Sequence, residues 1–448
     1  MILQRHILPT LKSSAPLHYL PSQSRVLTRV RLLATKSEAQ EGTTPLRKTP
    51  LYDFHVHHGA KMVPFAGYHM PLAYGDVGQV ASHQHVRQSA GLFDVGHMVQ
   101  SNFRGATATQ FLEWLTPSSL STLAPYASTL SVLLNERGGI IDDTVITKHA
   151  SDAFYVVTNA GRRTEDLAWF EARLMEWNAS ERAKDGPVEH EVLDGWGLLA
   201  LQGPAAADHL QALTSYDLRA LTFGRSAFVP LEGVNVHVAR GGYTGEDGFE
   251  ISIPPAYATF LASALLRSPV QLAGLGARDS LRLEAGMCLY GNDLDESTTP
   301  VEAGLSWVIG KDRRVVGGFI GSENVLDQLK NGPPRRRVGL IVEDAPARRM
   351  FPFSFLFHFF SSLNIFVINS YSPFVEGAKI LSPETSDEIG VVTSGIPLAP
   401  SVGKNIAMGY VKSGFHKKGT RLAVEVRKKA RATIVTSMPF IPTHYWRG

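Results

Sequence analysis

The spacing of apolar and polar residues divides the chain into short elements separated by glycine and proline. Ser101–Gly105 reads as a strand and turn, and Ala106–Leu115 as a short helix that stops before Pro117. Leu198–Gln202, followed by Gly203-Pro204, repeats that order: strand, glycine, then a helix opening on proline. The likeness of the two passages is a weak sign of internal duplication. Between them, Thr129–Asn135, Ile140–Thr147 and Phe154–Thr158 predict three strands joined by short polar turns. Val234–Arg240 and Phe249–Ile253 predict a hairpin around Gly-Tyr-Thr-Gly-Glu-Asp-Gly, and Arg278–Gly286 predicts a helix. From Arg335 onward the pattern is almost all strand: Val338–Val342, Ile389–Thr393, Ala407–Val411, Leu422–Val426 and Ala432–Val435. Such a terminal run points to a small β-barrel, and the whole to an α+β chain of several domains.

Composition refines this picture at three places. At 448 residues, 44% hydrophobic and 19% charged, the chain is long enough for two or three domains and too apolar for wholesale disorder. Its one cysteine, Cys288, excludes a disulfide scaffold, a thiolate zinc cluster and a Cys-x-x-Cys redox pair. The net charge of +3 is unevenly placed. Residues 1–37 hold Arg5, Lys12, Arg25, Arg29, Arg31 and Lys36 among serines and aliphatics, with no acid before Glu38. That is the composition of an organelle transit peptide, and no uninterrupted apolar core of secretory type accompanies it. Without those six, 38 basic residues face 41 acidic ones, so the body is slightly negative and nucleic-acid binding has no cationic excess to rest on. The third place is Phe351–Phe374, which holds eight of the 22 phenylalanines. It is nearly long enough to cross a bilayer, but Pro352, His358, Asn364 and Asn369 break it, and it keeps neither helical nor strand period. From its residues it reads as a buried or surface-packed insertion or as a segment foreign to the working protein, and because its composition matches neither flank we take the second as the working expectation.

The usual catalytic signatures for serine hydrolases, zinc proteases, P-loops and dinucleotide folds are missing from the sequence. His55, His57 and His58, with His83 and His85, lack an acidic or cysteine partner at ligand spacing, so no metal is expected. The strongest local feature is Asn135-Glu-Arg-Gly-Gly-Ile-Ile-Asp-Asp143. A glycine turn there feeds a strand in which Asp142 and Asp143 interrupt an apolar run. Successive strand residues face opposite ways, so one of the two loses its water and must be hydrogen-bonded or raised in pKa. Such a carboxylate suits proton exchange with a nitrogen substrate, while a turn-capping role is the alternative. In Gly241–Glu250, four glycines permit a close backbone approach, and Glu250 falls on the strand face opposite Phe249 and Ile251. There it can accept two N–H donors at once or simply face solvent. Arg278 and Arg282, four apart on a helix, either bind a carboxylate or pair with Asp279 or Glu284. Arg335–Arg337 and Arg427–Lys429 read as solvated turns.

Taken together, these stretches resemble the aminomethyltransferase family of the glycine cleavage system, the T-proteins. The shared passages include Thr49–His55, Phe93–Val95 with His97-Met98, Gly138–Asp143, Tyr155–Ala160, Ala200–Pro204, Gly242–Gly248 and Ala277–Ala285. They continue through Leu289–Asp293, Thr299–Glu302, Asn405–Val411 and Met438–Phe440. The resemblance implies a three-domain cloverleaf around a central folate funnel, with a C-terminal small β-barrel. The implied organisation is a transit peptide over 1–37, a folate-binding region of two intertwined α+β domains over 47–310, and a barrel over 335–442 interrupted at about 351–374. It further implies a mitochondrial matrix enzyme with tetrahydrofolate as one-carbon acceptor and the lipoylated H-protein as donor. The P- and L-proteins would be looser partners, and neither nucleic acid nor membrane is expected. Residue by residue, Asp143 would be the catalytic carboxylate and Glu250 would hold the pterin. Met98, Tyr155, Asn159, Arg278, Trp307 and Tyr445 would line the folate site, while Asp142 stays structural. Lys311, Arg313, Arg314 and Arg335–Arg337 are expected at the rim. A folate-binding accessory protein of iron–sulfur assembly is the rival of like fold, but its Lys-Gly-Cys-Tyr signature is replaced here by Gly-Tyr-Thr-Gly-Glu-Asp-Gly. A flavin-linked dimethylglycine or sarcosine dehydrogenase would need a dinucleotide domain that this sequence lacks.

Overall fold

Buried alternate positions sort the strands into three large sheets, each with a core of its own. The structure is a computed structural model and describes residues 45–343 and 376–448. The expected transit segment and the phenylalanine-rich stretch lie outside the described residues. The first sheet runs in the order Ser226–Leu231, Val234–Arg240, Gly248–Ile253, Gly197–Gln202, Ala90–Asp94, Val270–Leu272. All its pairings are antiparallel except the last. Phe249, Ile251, Val236, Val238, Leu199 and Leu201 supply its apolar face, covered by the Ala206–Gln211 and Ala258–Leu265 helices. The second sheet, Ser128–Leu134, Ile140–Ala150, Ala153–Thr158, Val99–Arg104, Glu189–Val192, is antiparallel throughout. Phe103, Phe154 and Ile146 pack there against Phe111 of the Ala108–Leu115 helix and Phe170 of the Arg163–Asn178 helix.

The third sheet is a closed barrel of six strands: Arg335–Val342, Asn405–Lys412, Glu388–Ile396, Lys379–Leu381, Arg421–Val426, Lys429–Thr436. Closure removes the exposed edges that an open sheet of this size would present. Five of its strands were legible from alternation. The sixth, Lys379–Leu381, is three residues long, too short to show a period. Arg335–Arg337 correct an expectation: they begin a barrel strand and are not a solvated turn. Arg335 bonds Glu302 and Thr298, and Arg337 donates to the carbonyls of Ala303 and Gly286. Arg427 and Lys428, both with positive φ, do form the tight turn of the last hairpin. Pro204 also departs from expectation, preceding its helix by two residues where the first helical position was expected.

One helix joins the three bodies. Along Leu275–Glu284, Ala277 and Leu281 pack with Phe93, Leu198, Ala200, Tyr155 and Val157, which come from the first and second sheets. Leu283 on the same helix packs with Ile406 and Met408 of the barrel. Its polar side is as heavily tied. Arg282 bonds Asp279, Asp293 and Ser394, and Glu284 takes Arg87, His83 and the Ser401 amide. The sheets that carry Asp143, Asn159, Tyr155 and Glu250 therefore meet at the helix that carries Arg278.

Candidate active site

The Asn135–Gly139 turn builds the first part of the site. Asn135 Oδ1 accepts from the amides of Arg137 and Gly139, both at 3.0 Å, and its side-chain amide donates to the Glu296 carbonyl at 2.9 Å. A Cβ on Gly139 would lie 1.9 Å from that same carbonyl oxygen, so only glycine fits. The strand that follows pairs Asp142 with Leu133 and Asp143 with Val132, which sends the two side chains to opposite faces. Asp142 is fully buried and Asp143 half-buried. Asn159 reaches both. Its backbone N–H donates to Asp142 at 2.8 Å, and its side-chain amide lies 2.9 Å from an oxygen of each carboxylate. Burial, and secondly the charge of Asp142, raise the Asp143 pKa to about 7, against the opposing pull of the Asn159 amide.

The second part comes from the hairpin. Phe249, Ile251 and Ile253 fill the core of the first sheet, so Glu250 and Ser252 project from the other face. Ser252 donates to Gln100 Oε1 at 2.5 Å, and the Tyr155 hydroxyl donates to the same oxygen at 2.8 Å. Glu250 makes no such bond among the described residues. Burial raises its pKa, while the nearby Arg278 acts against that. The hairpin's own glycines serve a local purpose: Gly242, at φ 155°, leaves a Cβ only 2.0 Å from Gln202 Oε1. The predicted close approach is thus to the protein's own Gln202, whose Oε1 also accepts from Thr244 at 2.7 Å.

The two arginines of the joining helix part company. Arg282 is the internally paired one, saturated by the bonds given above. Arg278 donates no side-chain hydrogen bond to any described residue; its guanidinium stands 4.6 Å over the Tyr243 ring. Burial lowers its pKa, opposed by Tyr243 and Glu250. Tyr243, unmarked as a site residue from sequence, is the hub. Its hydroxyl donates to the Cys288 carbonyl, and Asp143, Arg278 and Arg282 all act on it electrostatically. Its signal was its place two residues into the glycine turn. His97 is another addition. It is buried beside Met98, its Nδ1 has no partner, and burial depresses its pKa to about 4. Beside the hub, burial pushes the Cys288 thiol up to about 12.

Asp143 and Arg278 thus both act on Tyr243, with Asn159 bonded to Asp143 and Glu250 acting on Arg278. Met98 and Tyr155 stand behind them in one apolar cluster. Tyr445 lies apart, stacked on Phe223 at 4.2 Å on a C-terminal segment held to the hairpin. That hold consists of His444, whose amide meets the Gly245 carbonyl at 2.9 Å and whose ring meets Glu246 at 2.8 Å. Trp307 is 60% exposed and joins none of these groups. Of the expected rim residues, Arg313 donates to the Glu113 carbonyl and Arg314 to those of Ser306 and Ile309. His55 and His83 have partners of their own in Asp94, Tyr74, Ser280 and Glu284.

A carboxyl that titrates near neutrality can both take and return a proton. A half-buried arginine and glutamate without hydrogen-bonded side-chain partners among the described residues offer donors and acceptors to a polar ring. Comparison with known proteins bears on which chemistry uses them. The profile of the GCVT N-terminal domain matches residues 51–313, and that of the glycine cleavage T-protein C-terminal barrel domain matches 363–441.

The chain belongs to the glycine cleavage T-protein family.

A probable mitochondrial aminomethyltransferase of Schizosaccharomyces pombe is 46% identical over 92% of this chain and 97% of its own. The human mitochondrial aminomethyltransferase is 47% identical over 90% and 91% respectively. The crystal structure of the glycine cleavage system aminomethyltransferase T from Bartonella henselae superposes with a TM-score of 0.76. It is 38% identical and covers 90% of this chain and 99% of its own. This T-protein family member is therefore an aminomethyltransferase that works within the glycine cleavage system, and the iron–sulfur accessory reading falls away. The barrel match begins at residue 363, inside the phenylalanine-rich segment, and the chain on both sides of that segment contributes strands to one barrel.

Proposed function

We propose that the enzyme transfers the methylene of an S-aminomethyl group on the lipoyl arm of the H-protein to tetrahydrofolate, in the mitochondrial matrix. The observation that carries this reading is the placement of Asp143, with its pKa near 7, and of Arg278 beside Tyr243, with Glu250 acting on Arg278. In the transfer, C–N and C–S bonds to the methylene break, and bonds to folate N5 and N10 form. The two protons lost from those nitrogens leave on ammonia and on the lipoyl thiol. An ionised Asp143 accepts the proton of the attacking nitrogen, and its near-neutral pKa lets it hand the proton on. Glu250 accepts N–H donors of the pterin, Arg278 meets its polar edge, and Met98, Tyr155 and Asn159 form the floor. Trp307 and Tyr445 flank the outer part of the ligand. The basic leader and the mitochondrial names of the relatives support that location. The P- and L-proteins act on the same carrier without needing this site.

The test is ammonia release from aminomethylated H-protein with tetrahydrofolate. Asp143→Asn is expected to lower turnover by roughly 10²–10⁴-fold, the usual contribution of a positioned general base. Tetrahydrofolate affinity should change little, because the amide keeps the shape and the Asn159 neighbour. Turnover equal to wild type would remove Asp143 from the chemistry.

A further inference from the structure

Behind Asp143 lies a carboxyl that the reaction as described leaves unused. Asp166 sits in the first turn of the Arg163–Asn178 helix with no exposure, and neither of its oxygens has a hydrogen-bond donor fixed upon it. Its neighbours are the Thr158 hydroxyl, also buried and otherwise unpartnered, and the carboxyl of Asp142 within hydrogen-bonding reach. Asp142 is the donor-rich member. One oxygen takes the Asn159 backbone N–H at 2.8 Å, and the other takes the Asn159 side-chain amide at 2.9 Å. Two buried carboxylates in contact cannot both be charged, because each desolvates and repels the other. The donors settle which one ionises.

We propose that Asp142 and Asp166 share a single proton, resident on Asp166 and donated to Asp142, and that this dyad is a positioning device for the known reaction. It fixes one negative charge behind Asp143, and through Asn159 it fixes where the Asp143 carboxylate points. The reading rests on Asp143 being the base of the proposed transfer. Other charged or titratable groups face the array. Arg162 and Glu165 lie on the same helical turn as Asp166, Tyr290 approaches Asp142, and Tyr243 and Cys288 approach Asp143. Burial raises the pKa of both members, and the Asp166 contact raises that of Asp142 further, in keeping with one proton retained between them.

The dyad predicts opposite behaviour for two isosteric amides. Asp166→Asn replaces the acid O–H by an amide N–H to Asp142, so the pH profile of single-turnover transfer should keep its acid limb. Asp142→Asn removes the charge behind Asp143, so the limb should move to lower pH by roughly one unit, as loss of an adjacent like charge does. A limb that moves in Asp166→Asn, or stays in place in Asp142→Asn, overturns the proposal. A second measurement needs neither turnover nor the role of Asp143. Infrared spectra of folded Asp143→Asn at pH 6, where Asp143 can contribute no carboxyl, should show a protonated carboxyl band that the Asp143→Asn/Asp166→Asn double variant lacks. Its absence overturns the dyad even if Asp143 proves to be the base. A band present with an unaffected Asp143→Asn turnover would leave the dyad standing and reject only the base.

Discussion

Asp166 carries a stability cost that one substitution should relieve. Its carboxyl is buried and its pKa is raised to about 7, so the native state binds a proton that the unfolded state, near 3.9, has lost. Stability then falls as pH climbs from about 4 to 7, and the penalty is absent below the unfolded value. Asp166→Asn cannot titrate, so it should gain about 2–4 kcal/mol over wild type at pH 8 and nothing at pH 3.5. Urea unfolding at both pH values checks this, and equal gains at both would refute it. Asp143 obeys the same linkage, and its activity follows the opposite sign. Turnover needs the carboxylate, so the rate should fall as pH drops through about 7. Purified enzyme assayed from pH 5.5 to 8.5 reads this directly; a flat profile would exclude Asp143 as the titrating group.

The Leu275–Glu284 helix shows how one element separates binding from stability. Arg282 is buried and paired with a buried Asp293, so Arg282→Gln strands that carboxylate and should cost about 3–5 kcal/mol. Arg278 donates no side-chain hydrogen bond to a described residue, and its neighbour Glu250 is half-buried, so its loss strands no fully buried charge. Arg278→Gln should leave the melting temperature within a degree or two and weaken folate binding, as calorimetry with tetrahydrofolate would show. A large loss of stability in Arg278→Gln would mean that it has a partner after all. The sequence made both arginines visible and could not tell them apart, because the acids that choose Arg282 sit at Asp279 and, far along the chain, at Asp293. The strands around the site were more legible. Alternation alone put Glu250 opposite Phe249 and Ile251, and placed the Asp142-Asp143 step on a strand. Asp166 was illegible for the converse reason. An acid in the first turn of a helix ordinarily faces solvent and favours the helix dipole, and only the tertiary contact with Asp142 buries it.

At the scale of the molecule, three separately cored sheets and one joining helix explain why the barrel can hold a long sequence interruption. Arg335–Val342 and Lys379–Leu381 each find partners elsewhere in the barrel, through Asn405–Lys412 and Lys429–Thr436 for the former and Glu388–Ile396 and Arg421–Val426 for the latter. Neither pairing uses Phe351–Phe374. Deleting residues 351–362, the part of the segment ahead of the family match, should leave thermal unfolding and turnover unchanged. A deletion variant that fails to fold would give the segment a structural role. A peptide map of the native protein would separately show whether the segment is made. The barrel was legible in the chain's last hundred or so residues because a closed sheet needs strict alternation; the joining role of the helix was not, since its two apolar neighbours belong to sheets remote in sequence.

Cys288 draws one more consequence from the crowded hub around Tyr243. A thiol with a pKa near 12 is thiolate in only about one molecule in 10⁵ at pH 7, and thiolate is the species that attacks disulfides and alkylating reagents. If the proposed lipoyl donor is the carrier, the enzyme offers its dithiol almost no thiolate with which to exchange. As the chain's single cysteine, it is also silent to maleimide while folded and reactive once unfolded. The rate of its labelling is a built-in clock for opening of the active site.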